Sequence, residues 1–173
     1  MISSLDHLII AVKDLDEAEK DYTKVFGMPP VWRGEHKELG TINSIFNFEN
    51  TYFELLASKG AGLGADLVNN ALEQDGDGLT GIVLGTDNIK DVYTSISSAG
   101  FGIGEISDGE GSNSDNVNIR GWQNLFIPPE ITRGLFSFVI ENQDVELPCS
   151  NYQVSHISKL EHVSMHTKAS DGY

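Results

Sequence analysis

One pattern occurs twice in this chain, and it limits the fold more than any other feature. The run Leu5-Asp6-His7-Leu8-Ile9-Ile10 aligns position by position with Leu79-Thr80-Gly81-Ile82-Val83-Leu84. Both runs are near-continuously apolar and rich in β-branched residues, which predicts buried strands. A helix-capping residue follows each at the same interval, Asp14 in the first copy and Asn88 in the second. Asp14 also has Glu17 three residues on, the pattern of a capping box. Leu15, Ala18, Tyr22, Val25 and Phe26 then recur at helical spacing, as do Ile89, Val92, Tyr93 and Ile96. Gly27 ahead of Pro29-Pro30 ends the first predicted helix, and Gly100 ends the second.

Further strands are predicted over 31–33, 41–48 and 51–57, with Glu49-Asn50 as a turn, and in the second copy over 117–127 and 135–141. A short helix over 64–74 joins the copies. A repeated unit that cannot bury its own apolar face has to stack against its neighbour. The expected class is therefore α+β, with paired βαβββ modules. The boundaries are 1–60 for the first module, 61–77 for the linker, 78–145 for the second module and 146–173 for a tail. In that tail, Leu160-Glu161-His162-Val163-Ser164-Met165-His166 repeats the Leu-acidic-His opening and reads as the start of a third module. A lone strand cannot bury its surface, so further C-terminal modules are expected.

Charge narrows the function. Lys and Arg number 11 against 26 Asp and Glu, a formal net charge of −15. A nucleic-acid partner needs a basic face, and there is little here to build one. No apolar run approaches the ~20 residues that cross a bilayer, and the first residues lack the basic start of a secretory signal. Cys149 is the only cysteine, so no intrachain disulfide or CxxC knuckle forms. A cytoplasmic protein with a small-molecule partner, and neither nucleic acid nor membrane, is expected. The glycine-rich 60–64 lacks dinucleotide-loop spacing, 73–78 has Leu84 where a calcium loop needs Glu, and 108–116 reads as a solvated loop or lid.

Alternation gives candidate chemistry. His7 shares a strand face with Leu5, Ile9 and Ala11, and Glu54 shares one with Tyr52 and Leu56. A carboxylate inside an apolar strand is costly unless a cation meets it. A metal bridging His7 and Glu54 would satisfy both, and Zn²⁺, Fe²⁺, Mn²⁺ or Ni²⁺ suits such ligands. The plainer alternatives are a strand histidine bonded to a neighbour and a carboxylate paired with arginine or facing water. Arg120, Trp122, Asn124 and Phe126 share one face of the later strand, and Asn124 corresponds to Asn43. Arg120 suits an anionic or carbonyl-bearing ligand and Trp122 a flat one. The alternative puts Arg120 outside in water and Trp122 in the core. Arg133 has the same two readings.

The opening Leu5-Asp6-His7-Leu8-Ile9-Ile10-Ala11-Val12-Lys13-Asp14-Leu15, Phe26-Gly27, Tyr52-Phe53-Glu54-Leu55-Leu56 and the stretch from Arg33 to Asn43 together resemble the vicinal oxygen chelate superfamily, in its glyoxalase-like branch. That superfamily spans lyases, isomerases, epimerases, extradiol dioxygenases, thiol transferases and metal-free drug-binding proteins of the bleomycin-resistance type. The resemblance implies that the paired βαβββ modules form an eight-stranded open cup with helices outside. It also implies that a metal is held by the first and last strands of each module, with His7 and Glu54 as first-module ligands and Glu54 doubling as base. Gly81 then matches His7, and Ser137 falls opposite Glu54 once a longer turn over 128–134 is allowed; neither is a usual ligand.

Three completions follow. His36, in a loop before the third strand, could swing in; ligands could come from another subunit, as a homodimer, or from missing modules, where His162 matches His7; or the cup could hold no metal. His36, Asn43, Arg120, Trp122 and Asn124 are the expected substrate-binding residues. The implied functions are a metal-dependent enzyme of lyase, isomerase or dioxygenase type chelating a small oxygen-bearing substrate, a metal-free binding module, or a degenerate structural half of a larger protein.

Overall fold

The computed structural model describes residues 1–113, 118–143, 147–148 and 156–164. The first module comprises β1 (Ile2–Ala11), α1 (Leu15–Phe26), β2 (Trp32–His36), β3 (Thr41–Asn47) and β4 (Tyr52–Ser58). A helix, α2 (Leu63–Asp75), leads to β5 (Gly78–Thr86), α3 (Ile89–Ser98), β6 (Ser107–Asn113), β7 (Ile119–Phe126), the one-turn α4 (Pro129–Thr132) and β8 (Phe136–Gln143). The strands hydrogen-bond in the ring β1-β4-β3-β2-β6-β7-β8-β5, an eight-stranded closed barrel.

The helix ends follow the local chemistry. Asp14 accepts a 3.0 Å bond from the Glu17 backbone N–H, and Asn88 does the same for Asp91. Gly27 takes the left-handed conformation (φ 72°) that ends α1 and donates to Thr23 O. Outside the barrel, Leu8, Ile10, Val12, Phe46 and Leu55 pack against Leu15 and Phe26 of α1. On the other side Leu125 and Val139 pack against Ile89 and Val92 of α3. Burying each such side chain contributes about 1.5–3 kcal/mol.

Helix α2 does more than connect. Its Val68, Ala71 and Leu72 pack on Ile9, Ala11, Leu56, Val83, Phe138 and Ile140. By alternation these strand residues share the face of His7 and Glu54, the interior face. Half-buried Trp122 packs against the same cluster, and Trp32 and Tyr52 are half-buried as well.

Two registers differ from expectation. Residues 107–113 are strand, not loop or lid, although the sequence there is Ser-Asp-Gly-Glu-Gly-Ser-Asn. β6 pairs with β7 along its length and with β2 at Gly34↔Asn113 and Glu35↔Ser112, and this short seam closes the ring of the eight-stranded cup. The glycines serve the interior: a Cβ at Gly109 would lie 2.2 Å from Trp122 Nε1 and 2.8 Å from Asn124 Nδ2. Glycine is used here because large side chains from β7 need its space.

The second difference concerns Ser137. His7 sits opposite Tyr52 and Ile9 opposite Glu54, while Gly81 sits opposite Phe136 and Val83 opposite Phe138. The second-module counterpart of Glu54 is therefore Phe138; Ser137, one residue away, faces the other side of its strand.

In the tail, residues 156–164 contain no strand. They dock on the first module through Glu49 N–H to Ser158 O (2.8 Å), Ile157 N–H to Phe26 O (3.0 Å) and two bonds between Asn50 and Leu160. Leu160 and Val163 pack on the outer core, and His162 is exposed. Cys149, Met165, His166, residue 117 and the end of the expected lid at 114–116 lie outside the described residues. No helix among the described residues is long and apolar enough to cross a membrane.

Candidate active site

Inside the barrel β1, β3 and β4 bring His7, Asn43 and Glu54 together. His7 is 3% exposed and Glu54 6%. His7 Nε2 lies 3.4 Å from Glu54 Oε2, and Nδ1 donates to Asp6 Oδ1 at 2.7 Å. Asp6 is itself held by Asn142 Nδ2, 2.9 Å from its second oxygen. The remaining oxygen of Glu54 accepts from Asn43 Nδ2 at 2.6 Å. Tyr52, on the strand neighbouring β1, stacks on the His7 ring at 4.3 Å and 13°.

Burial opposes charge on His7, but hydrogen bonds and charges of Asp6 and Glu54 outweigh it and raise its pKa above 6.5. Burial likewise pushes the Glu54 carboxyl up; the hydrogen bond and charge of His7, with the bond from Asn43, overcome this and bring it from 4.5 to about 2. Both shifts favour an imidazolium against a carboxylate, with Asp6 bonded behind the ring. Tyr52 is driven well above 10, first by burial and then by the negative charges of Asp6 and Glu54; it stays a neutral phenol.

His36 is the buried last residue of β2, not part of a loop. Its Nδ1 donates to Thr41 Oγ1 (3.0 Å), and its Nε2 accepts from Asn43 Nδ2 (3.5 Å). Burial, together with the positive charges of Arg120 and His7, lowers its pKa against the pull of Glu54. Its ring meets Trp122 edge-on at 5.6 Å. Asn43 and Asn124 occupy equivalent places, opposite Leu56 and Ile140. Arg120 is buried on the interior face, its guanidinium carbon 5.8 Å from the Trp32 ring and 5.9 Å from the Tyr52 ring. Arg133 instead sits at the end of α4, with φ 60°.

Tyr52, Asp6 and Trp32 were not among the expected site residues. Tyr52 and Asp6 adjoin candidates in sequence, and alternation alone puts Tyr52 on the Glu54 face; for Trp32 only the register with β3 shows its place.

As donors to a divalent ion, His7 Nε2 and Glu54 form one side of a coordination shell, and the Asp6 bond behind His7 is what a metal-bound histidine uses. The other side does not fit. The matching positions hold Gly81 and Phe138, and the Phe138 ring stands 6.0 Å from His7. No group of three His, Cys, Asp or Glu residues arranged to hold a metal exists among the described residues.

No curated protein matches the chain. Solved structures do. A Streptomyces coelicolor methylmalonyl-CoA epimerase variant in complex with 2-nitronate-propionyl-CoA superposes with a TM-score of 0.67 at 20% identity, over 86% of this chain and 100% of that one. Methylmalonyl-CoA epimerase from Mycobacterium tuberculosis gives 0.65 at 20%, over 81% and 88%. A hypothetical protein from Bacillus halodurans gives 0.67 at 18%, over 83% and 96%. The paired-module barrel is thus shared with these proteins. The family model for the glyoxalase-like domain matches residues 5–171, and the chain belongs to that family, within the vicinal oxygen chelate superfamily.

Proposed function

We propose that the chain is an isomerase-type enzyme that moves a proton on a carbon next to a carbonyl, with Glu54 as base and His7 as acid. The observation that carries this reading is the buried His7–Glu54 pair, 3.4 Å apart, with Asp6 behind one member and Asn43 on the other. Likeness in fold to methylmalonyl-CoA epimerases supports the reaction class without naming this chain's substrate.

The pair contains its own activation. At rest His7 holds Glu54 near pKa 2, too low for an effective base. A carbonyl oxygen that accepts the His7 Nε2–H takes that hydrogen bond away from Glu54. Burial, the largest influence on Glu54, then pushes its pKa upward. Glu54 takes the proton from the carbon, the C–H electron pair moves into the carbonyl, and His7 stabilises the oxyanion by hydrogen bond or proton transfer. Return of the proton from Glu54 to a neighbouring carbon on the same face completes the reaction.

A divalent ion, where bound, would add Lewis-acid polarisation of that oxygen. This chain supplies only the His7 and Glu54 side of its shell, so every step above is carried by side chains. The half-buried rings of Trp32, Tyr52 and Trp122 equally favour a second reading, a small-molecule binding module without turnover.

Solvent exchange separates the two. In D₂O, enolisable oxo acids and hydroxyketones are expected to gain deuterium in the presence of the protein. Glu54→Gln should slow this by about 10²–10⁴-fold. No incorporation into any of them, or equal rates in Glu54→Gln, sinks the enzyme reading.

A further inference from the structure

Arg120 is the least compensated charge in the described interior. It is 8% exposed, shares its face with Trp122 and Asn124, and contacts the Tyr52 side chain by hydrogen bond. Surface Arg33, by contrast, pairs with Asp16 at 2.5 Å and Glu19 at 3.0 Å. None of the ion pairs among the described residues includes Arg120, and its Nε has no partner. The groups facing it are the Trp32 and Tyr52 rings, with His36 kept neutral nearby. Ring faces orient a guanidinium but offset only part of the desolvation of a buried charge. The planar fork of an arginine matches a carboxylate.

Two acceptors are also unpaired, Asn43 Oδ1 and Asn124 Oδ1. The orientation of the Asn43 amide is fixed, because its nitrogen donates to ionised Glu54 and to His36. Its oxygen therefore calls for a donor, and neither a carboxylate nor a carbonyl is one. A ligand that paired all of these groups would bring an anion to Arg120 and an O–H or N–H to Asn43.

We infer that the site takes a small hydroxy-oxo acid, its carboxylate on the Arg120 guanidinium, its hydroxyl donating to Asn43 Oδ1 and its carbonyl on His7. This rests on the proton-transfer reading and names its substrate class. The carbon between carbonyl and hydroxyl then lies beside Glu54.

Of the two tryptophans of the chain, Trp32 adjoins Arg120 and Trp122 adjoins His36, so intrinsic fluorescence and calorimetry can follow binding. The probes are hydroxypyruvate and 5-hydroxylevulinate, which differ in length. Each is compared with its analogue lacking the hydroxyl (pyruvate, levulinate) and with an uncharged counterpart that keeps it (hydroxyacetone, the 5-hydroxylevulinate methyl ester). At least one hydroxy-oxo acid is expected to bind about tenfold or more tightly than either of its comparators. Arg120→Gln should abolish the preference for the acid, and Asn43→Leu the preference for the hydroxyl. The wild-type comparison needs no variant and stands if either one misfolds. Equal binding of acid and uncharged counterpart, or no binding of either acid at tens of millimolar, overturns the inference. Deuterium exchange into hydroxyacetone without any acid preference would remove the Arg120 role and leave the Glu54 chemistry intact. Arg120-dependent acid binding with no exchange would do the reverse.

Discussion

The Phe136 ring fills the space that a side chain at Gly81 would need: a Cβ there would lie 2.7 Å from Phe136 Cδ1 and 3.3 Å from Phe136 O. Gly81 is the second-module counterpart of His7, so this contact is where the two halves of the barrel part company. One half presents imidazole and carboxylate; the other presents glycine and aromatic rings.

Gly81→Ala is therefore expected to lower stability by about 1–3 kcal/mol through overpacking. Phe136→Leu in the same chain should recover part of that loss, so the double variant is less destabilised than the sum of the singles. Urea unfolding measures both; strict additivity would mean the ring and the glycine do not compete. With only half a shell of donors, dialysed protein should also carry less than one divalent ion per chain. Stoichiometric metal that disappears in His7→Ala and in Glu54→Ala would contradict that.

The His7–Glu54 pair gives stability a defined pH window. Glu54 is depressed from 4.5 to about 2, so its contribution is present above pH 4.5 and is lost as pH falls toward 2. His7 is raised above 6.5, so its contribution is full below pH 6.5 and is lost as pH climbs through the folded value. The two overlap between about 4.5 and 6.5, where the urea midpoint should be highest. The acid limb corresponds to about 3 kcal/mol. Glu54→Gln should flatten both limbs, since His7 loses one of its two anions; a variant as pH-sensitive as wild type would show that the pair is not coupled.

How much of this could be read from the residues varies along the chain. The repeat carried the modules, both helix caps and the equivalence of Asn43 with Asn124, because each rests on spacing that survives duplication. His7 and Glu54 followed from alternation and from the cost of an unpaired carboxylate. β6 was illegible because its Ser-Asp-Gly-Glu-Gly-Ser-Asn carries no apolar alternation; its glycines are set by Trp122 and Asn124, residues of another strand. Aligning Ser137 with Glu54 slips by one residue across the 128–134 turn, and a slip of one turns a strand face outward. The placement of His36 depended on where β2 ends, the kind of boundary that local propensity sets poorly.

Asn43 offers a test of how the base is held. Its Nδ2 donates to Glu54 at 2.6 Å, so Asn43→Asp replaces a donor with a second carboxylate against the first. Like charges at that range raise a carboxyl pKa. The acid limb of the exchange rate should therefore move to higher pH. Asn43→Ser, which keeps a donor, should move the limb less. An unshifted limb in the aspartate variant would show that Asn43 does not set the protonation of Glu54.

Gly109 gives the sharpest structural test, because its missing side chain is what admits Trp122. A Cβ at this position would meet Trp122 Nε1 at 2.2 Å, Trp122 Cε2 at 2.6 Å and Asn124 Nδ2 at 2.8 Å, and backbone pairing fixes Gly109 opposite Trp122. The indole must therefore move in Gly109→Ala, and with it the edge contact to His36. The expected result is a loss of about 1–3 kcal/mol, a red shift in tryptophan emission as Trp122 swings toward water, and weaker ligand binding with the His7–Glu54 pair left in place. Glycine's conformational freedom is not involved, since Gly109 has no positive φ; the effect is one of space. Gly104, whose Cβ would meet nothing within 4 Å, is the control, and its alanine variant should leave emission and binding unchanged. Emission identical to wild type in Gly109→Ala would show that the indole does not occupy the place assigned to it, and the recognition face built from Trp122 and Asn124 would have to be redrawn.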